Sequence, residues 1–257
     1  MNKTIVIKLG GSVLGSRDTS LEDVVALKKA GYRPVVVHGG AATVNDWLKR
    51  LGLATRIHNG ERVTDRENLD VVAAVLGGLV NKETTAHLLA LGVRAVGISG
   101  VDGGLITGRP RGVEWGYMGD AERVDPTLLH LLLENEFVPV VSPVSLNGGD
   151  PENRLLNING DPVAGELAAA LQADKLVFLT DVPGIRDGEG ELIEAVTARE
   201  AEELVTGGIA TGGMVPKIRA ARRASAAGTV TSIVDGSQAH MLYKEVVEGG
   251  CGTAIIA

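Results

Sequence analysis

The sequence predicts an α/β fold built on a mainly parallel central sheet, and three observations carry that expectation. Short Val-, Ile- and Leu-rich runs alternate with longer helical stretches along the chain. Four of the apolar runs, "IVIKLGG", "VVVHGG", "VGISGVDGG" and "LVFLTDVPG", pass directly into a glycine-containing turn. No Pro/Ser-rich linker and no internal repeat divides the chain, so the strands are expected to share one continuous sheet, with one lobe to about residue 175 and a second lobe after it.

In chain order, strands are expected at 4–9, 34–38, 93–99, 137–142, 174–180, 230–235 and 252–256. Each is a short β-branched run bounded by turn residues. Helices are expected near 20–30, 42–51, 66–91, 126–136, 162–172, 199–206, 213–227 and 239–248. Ser20 and Asp23 form a capping-box pattern for the first helix. Pro162 and Pro216 sit where a first helical turn tolerates proline. The stretch from Asp102 to Gly119, rich in Gly and Arg, is too irregular for a helix and predicts a hairpin or a flap.

Bulk properties exclude several classes. A net charge of −7 argues against a nucleic-acid or anionic-membrane surface, so an anionic ligand would need few, local positive groups. Aromatic residues at 3% leave little stacking surface for single-stranded nucleic acid. The single cysteine, Cys251, rules out an intrachain disulfide and a thiolate metal cluster. No apolar run approaches the roughly 20 residues that span a bilayer. The N-terminus enters a strand without a basic leader, so a cytoplasmic location is expected.

In parallel α/β sheets, ligands sit beyond the carboxyl ends of strands. Glycine turns there let backbone N–H groups approach a phosphate. The chain contains no G-x-x-x-x-G-K-[ST], no G-x-G-x-x-G after the first strand and no H-E-x-x-H. Positive charge for a phosphate must come from elsewhere. Lys8, at the end of an apolar strand, is one candidate; its ordinary alternative is to snorkel to solvent. Lys217, in "TGGMVPKIRAARRASAAG", stands near a helix N-terminus that favours anions, although a lysine in a basic helix is commonplace.

Two further motifs are polar where the chain is otherwise apolar. In "NINGDP", Asn157, Asn159 and Asp161 alternate and on an extended segment project to one face. Asp161 precedes Pro162 and also fits as a plain N-cap, whereas the two amides suggest a polar pocket wall. In "NGERVTD", Arg62 lies between turn residues and a helix start, either as a surface arginine or as a bidentate grip for a carboxylate. His38 is expected to be a strand-end histidine bonded to backbone rather than a catalytic group.

Taken in order and spacing, "KLGGS", "VVVHGGA", "NGERVTD", "NINGD", "LTDVPGI" and "GGMVPK" resemble the amino-acid kinase family, and within it the branch that phosphorylates acetylglutamate in arginine biosynthesis. The resemblance runs from Lys8 nearly to the terminal "GTAII". It implies an open αβα sandwich, a homodimer, and ATP with Mg2+ held mainly through the nucleotide phosphates. The acetylamino acid would lie in the lobe of residues 1–175 and the nucleotide in that of residues 176–257. Lys8 and Lys217 would stabilise the transferring phosphoryl group, and Asp161 would hold both lysines. Gly40, Ala41, Arg62, Asn157 and Asn159 would bind the acceptor. Gly10, Gly11, Thr180, Asp181, Val182, Gly184, Ile185, Ile209, Ala210, Thr211 and Gly213 would line the nucleotide, with Gly10, Gly11 and Gly40 offering backbone N–H groups.

The chain departs from the family pattern at Ala41, usually glycine, at Glu61, usually apolar, and at Gly160, usually alanine. The first strand starts almost at Met1, without the N-terminal helix of arginine-inhibited hexameric relatives, which implies a dimer insensitive to arginine. A carboxylate nucleophile is already ionised near neutral pH, so the lack of a Ser/His/Asp or Cys/His set suits this chemistry. The alternatives are a sibling kinase for carrier-protein-linked aminoadipate or glutamate and a non-catalytic nucleotide- or amino-acid-binding regulator. A dinucleotide oxidoreductase lacks its glycine fingerprint.

Overall fold

The computed structural model describes residues 3–10, 19–58, 61–150 and 152–256 of the 257-residue chain. Its first half contains β1 (Thr4–Leu9), α1 (Ser20–Lys29), β2 (Arg33–His38), α2 (Ala41–Arg50), β3 (Arg56–His58), β4 (Glu61–Val63), α3 (Arg66–Val72), α4 (Asn81–Ala90) and β5 (Ala95–Ser99). Then follow β6 (Ile106–Pro110), β7 (Met118–Val124), α5 (Thr127–Glu134), β8 (Val138–Ser142), β9 (Val144–Asn147) and β10 (Leu155–Ile158). The remainder is α6 (Gly160–Ala170), β11 (Lys175–Thr180), β12 (Ala195–Thr197), α7 (Ala198–Thr206), α8 (Met214–Ser225), β13 (Val230–Asp235), α9 (Met241–Val247) and β14 (Gly252–Ile256).

Eight strands form the central sheet in the order β12-β14-β13-β11-β1-β2-β8-β5. Every pairing is parallel except β13 with β14. The strand period of two decides what each face of β1 meets. Ile5, Ile7 and Leu9 pack with Val24 and Leu27 of α1, Leu88 of α4 and Leu242 of α9. Val6 faces the opposite way, into the core built by Val163 and Leu167 of α6, Ile218 and Ala221 of α8, and Leu129 of α5. The result is the αβα sandwich, and Lys8 falls on the α6 side of its central strand.

The expected strands and helices of the central layers are present within about two residues. The irregular stretch is indeed a hairpin: β6 and β7 pair antiparallel. With β9 and β10 they close a four-stranded ring, and β3 pairs with β4 in a separate hairpin. These short strands, with β12, were not expected. The helix expected at 66–91 is one helical run whose middle, Ala73–Val80, is wound as a π-helix between α3 and α4.

The Ser20 capping box is not formed. Thr19 occupies the cap without a side-chain bond. The Asp23 carboxylate instead accepts from His240 Nδ1 at 2.8 Å and from the Tyr243 backbone N–H at 3.1 Å, which ties α1 to α9. The true capping box belongs to α7, where Thr197 and Glu200 satisfy one another's backbone N–H groups. The α6 helix opens at Gly160 and its cap is Asn159, whose side chain accepts from the Asp161 N–H.

Helices α6 and α8 touch closely. A Cβ at Gly165 of α6 would lie 2.6 Å from the Ala220 carbonyl oxygen of α8, closer than any real contact. The Gly165→Ala variant should therefore lose about 1–3 kcal/mol of stability through overpacking, read as a lowered urea midpoint. An unchanged midpoint would show that the two helices are free to separate.

Candidate active site

The carboxyl ends of β1 and β2 and the N-termini of α6 and α8 converge on one buried carboxylate. Lys8 Nζ lies 2.7 Å from Asp161 Oδ1, and Lys217 Nζ lies 3.0 Å from Asp161 Oδ2. The three side chains are only 5–13% exposed. Lys217 Nζ also donates to the Gly213 carbonyl at 3.1 Å. Burial works against ionisation of Asp161, but Lys8 and Lys217 outweigh it and hold its pKa below the usual carboxylate value. The first turn of α6 adds the favourable end of its dipole. Asp161 is thus not the cap of α6: its carboxylate is turned inward to the two lysines, and capping falls to Asn159. For the same reason Asn157, Asn159 and Asp161 do not share an extended run, since β10 ends at Ile158.

The acceptor residues assemble across separate elements. Arg62 of β4 donates through Nη2 to Asn45 Oδ1 of α2 at 2.5 Å and to the Ala41 carbonyl at 3.4 Å. Its Nη1 is buried with no hydrogen-bond partner among the described residues. Burial lowers the pKa of this guanidinium. Asn157 of β10 donates to the buried Thr64 hydroxyl at 3.0 Å, joining the motifs that contain Arg62 and Asp161. Thr64 also exchanges backbone bonds with Trp115 and Tyr117 in the turn between β6 and β7. Trp115 stacks edge-on against His58 of β3 at 4.7 Å. A cavity of about 760 Å³ opens between this turn and the helix starts, with Arg111, Trp115, Asn159, Asp161 and Gly213 on its walls.

Gly40 stands at the start of α2 with φ 147°, and a Cβ there would meet Leu76 Cδ2 of the π segment at 2.7 Å. Only glycine fits that conformation and that contact. Ala41 is exposed and contributes its carbonyl to Arg62.

The nucleotide residues divide. Thr180 and Asp181 stand at the end of β11, Val182 and Ile209 are exposed, and Gly213 caps α8, with Thr211 two residues before it. The side chains of Ile185 and Ala210 belong to the hydrophobic core. Gly184 is pressed against Thr253, whose hydroxyl would lie 2.3 Å from a Cβ, so it serves the packing of this loop. The Gly10 N–H donates to the Leu179 carbonyl at 3.1 Å and extends the pairing of β1 with β11 by one rung. Gly11 lies outside the described residues. Asn45 and Thr64 had no sequence signal beyond their nearness to Arg62 and Gly40.

Among the described residues, no group of three His, Cys, Asp or Glu side chains could hold a metal ion. No described helix is long and apolar enough to cross a membrane.

The geometry of the two lysines on one carboxylate has a counterpart in sequence. The model of the amino acid kinase family matches residues 3–235. The chain belongs to the amino acid kinase family. It is 55% identical to an acetylglutamate kinase of Dehalococcoides mccartyi over 99% of this chain and 95% of that one. An acetylglutamate kinase of Parasynechococcus marenigrum is 46% identical over 99% of this chain and 89% of that one. In structure, the chain is similar to an N-acetylglutamate synthase of Neisseria gonorrhoeae solved with coenzyme A and N-acetyl-glutamate, with a TM-score of 0.85 and 27% identity over 99% of this chain and 59% of that one. A carbamate kinase of Giardia lamblia, with a TM-score of 0.73 and 16% identity over 100% and 99% of the two chains, shares the fold.

His38, fully buried at the end of β2, bonds to the Gly39 carbonyl through Nδ1 at 2.8 Å, as a strand-end structural histidine should. Burial above all, opposed by the Gly39 bond and assisted by Lys82 and Lys8, lowers its pKa from 6.5 to about 4. In the unfolded chain it protonates near 6.5, so the neutral ring's contribution to stability is full above that pH. It is lost as pH falls and is gone by about 4, a loss of about 3 kcal/mol. Urea titrations across this window should show that loss in the wild type and not in His38→Asn. Parallel curves would refute the assignment.

Proposed function

We propose that the chain transfers the γ-phosphoryl group of ATP to the side-chain carboxylate of N-acetyl-L-glutamate, giving ADP and N-acetyl-L-glutamyl 5-phosphate, a step of arginine biosynthesis. The observation that carries this reading is the pair of lysines held on Asp161. Acceptor and nucleotide are both anionic, and their approach must be offset where the phosphoryl group passes. Two ammonium groups against one carboxylate leave one net positive charge at the carboxyl end of β1, in a chain that is negative as a whole.

The acceptor carboxylate attacks the γ-phosphorus, the bond to the β,γ-bridging oxygen breaks, and ADP leaves with that electron pair. Carboxylates of this type ionise near pH 4, so no general base is required. Catalysis is positioning and charge stabilisation. Lys8 and Lys217 meet the equatorial charge of the transferring group, while Asp161 keeps both ammonium groups in place. The unpartnered Nη1 of Arg62 suits a carboxylate of the acetylamino acid that does not react, and Asn157 and Asn159 would bind the rest of the acceptor. The region of Thr180, Asp181, Val182, Ile209, Thr211 and Gly213 takes the nucleotide. The lobe of residues 1–175 then serves the acceptor and that of residues 176–257 the nucleotide. Among the described residues no acidic cluster would hold Mg2+, which would arrive on the nucleotide phosphates. An ATP-using biosynthetic step suits the cytoplasm. The family resemblance supports a homodimer, which light scattering would show as twice the 26.7 kDa chain mass.

The deciding experiment is ATP-dependent acyl-phosphate formation trapped by hydroxylamine, with acetylglutamate, glutamate, aspartate and aminoadipate compared as acceptors. Acetylglutamate should be strongly preferred; no product with it defeats the reading. Lys8→Ala and Lys217→Ala should each lower kcat by roughly 10²-fold or more, as loss of a charge-stabilising donor does. Arg62→Ala should instead raise KM for acetylglutamate by at least about tenfold, the worth of one lost charged hydrogen bond, with KM for ATP little changed.

A further inference from the structure

Behind the Gly39-Gly40 turn lies a buried polar cluster that the chemistry above does not use. Asn81, the first residue of α4 after the π segment, is fully buried. Its Nδ2 lies 2.9 Å from the Val140 carbonyl of β8, 3.1 Å from the Ile98 carbonyl of β5 and 3.1 Å from His38 Nε2 of β2. Its Oδ1 accepts from Lys82 Nζ at 2.9 Å. Gly97 of β5 leaves the necessary space, since a Cβ there would lie 2.2 Å from Asn81 Oδ1.

These partners orient the Asn81 amide and select the tautomer of His38, with the two Nδ2 protons shared among three facing acceptors. A lysine ammonium only donates, so the atom facing Lys82 is the amide oxygen. Backbone carbonyls only accept, so the atom facing Val140 and Ile98 is the amide nitrogen. That nitrogen also faces His38 Nε2, which must then be the unprotonated, accepting nitrogen of a neutral imidazole. The ring proton is left on Nδ1, where the Gly39 carbonyl accepts it at 2.8 Å. On its other side, the Gly39 N–H donates to the Leu9 carbonyl, one residue beyond Lys8, at 3.1 Å. The next residue, Gly40, is seated against Leu76 and Val80 of the π segment, which ends where Asn81 begins.

We infer that Asn81 is a positioning residue: its amide fixes the His38 proton on Nδ1, and that N–H holds the Gly39 peptide so that Gly40 is presented to the acceptor in one orientation. The inference rests on the acceptor site proposed above, because Gly40 matters to catalysis only if the acceptor lies beside it. His38 and Asn81 touch no reacting atom and act through the turn.

Two measurements test it. In 15N-histidine-labelled protein, long-range 1H–15N spectra should show His38 as the Nδ1-protonated tautomer, unchanged between pH 6 and 8. In Asn81→Asp, where a donor becomes an acceptor, the proton should appear on Nε2. An Nε2-protonated ring in the wild type, or an unmoved proton in Asn81→Asp, overturns the inference. The second measurement separates positioning from mere support and does not depend on Asn81→Asp folding. His38→Gln places its amide toward Asn81 and leaves the Gly39 carbonyl without its donor, whereas the shorter His38→Asn amide reaches the Nδ1 position. KM for the acceptor should rise at least tenfold in His38→Gln and recover most of that loss in His38→Asn, with KM for ATP within twofold in both. Equal KM values in the two variants overturn the positioning role, since a merely destabilised enzyme loses active fraction and hence kcat. If another acceptor proves to be the substrate, the acetylglutamate reading fails while the tautomer result stands and the KM comparison is made with that acceptor.

Discussion

A carboxylate buried to the degree of Asp161 is tolerable only when its charge is met, and the way it is met governs the layout of the molecule. Lys8 reaches it from the centre of the sheet and Lys217 from α8, so three elements distant in sequence must converge to within hydrogen-bond distance. The close contact of α6 with α8 at Gly165 and the N-terminal start of both helices at the same sheet edge follow from this requirement. Because β1 is flanked by β2 and β11, Lys8 has no sideways freedom; its register against Val37 and Phe178 sets its height along the sheet. The ion cluster therefore ties the central strand to α6 and α8 and leaves a surplus positive charge, which is what the proposed phosphoryl transfer requires.

The acceptor side is built on a different principle. Its contacts come from short strands and turns, with Arg62, Thr64 and Asn157 supplied by β4, the residue after it, and β10. The unfilled Nη1 of Arg62 marks where the structure is incomplete without an anion. Since Thr64 is bonded to Asn157 and to the turn carrying Trp115, a ligand gripped by Arg62 is mechanically linked to the wall of the cavity that reaches Asp161. Rigid clamp and adaptable wall share one cleft.

The layers were legible in the sequence because the long elements carry strong periodicity and clear stops. β1, β11, β13 and β14 are apolar runs between turn residues, and their burial leaves little ambiguity. The short strands β3, β4, β9, β10 and β12 have three or four residues each, too few for a period; β3 and β4 exist only through each other, and the rest through partners elsewhere in the chain. Lys8 and Lys217 stood out because charge at an apolar strand end or a helix start is anomalous. The role of Asp161 was ambiguous locally: a residue before proline suits a cap, and only the two ammonium groups decide against it. At Gly10, Ile185 and Ala210 the structure shows strand pairing and core packing, which their motif positions did not signal. Asn45 and Asn81 were silent because an isolated asparagine in a helix has no pattern.

The neutrality of the His38 cluster follows from what surrounds it. Burial above all, with repulsion from Lys82 and Lys8 added, disfavours a charged imidazole beside the two lysines. A neutral ring with a single, directed N–H secures the turn without adding charge. Such a ring is unambiguous only if something dictates which nitrogen holds the proton, and an amide whose own orientation is fixed by an ammonium on one side and carbonyls on the other does so. The molecule thus concentrates charge at Asp161, where chemistry needs it. Around His38 it relies on hydrogen bonds made by a neutral ring, where geometry is what is required.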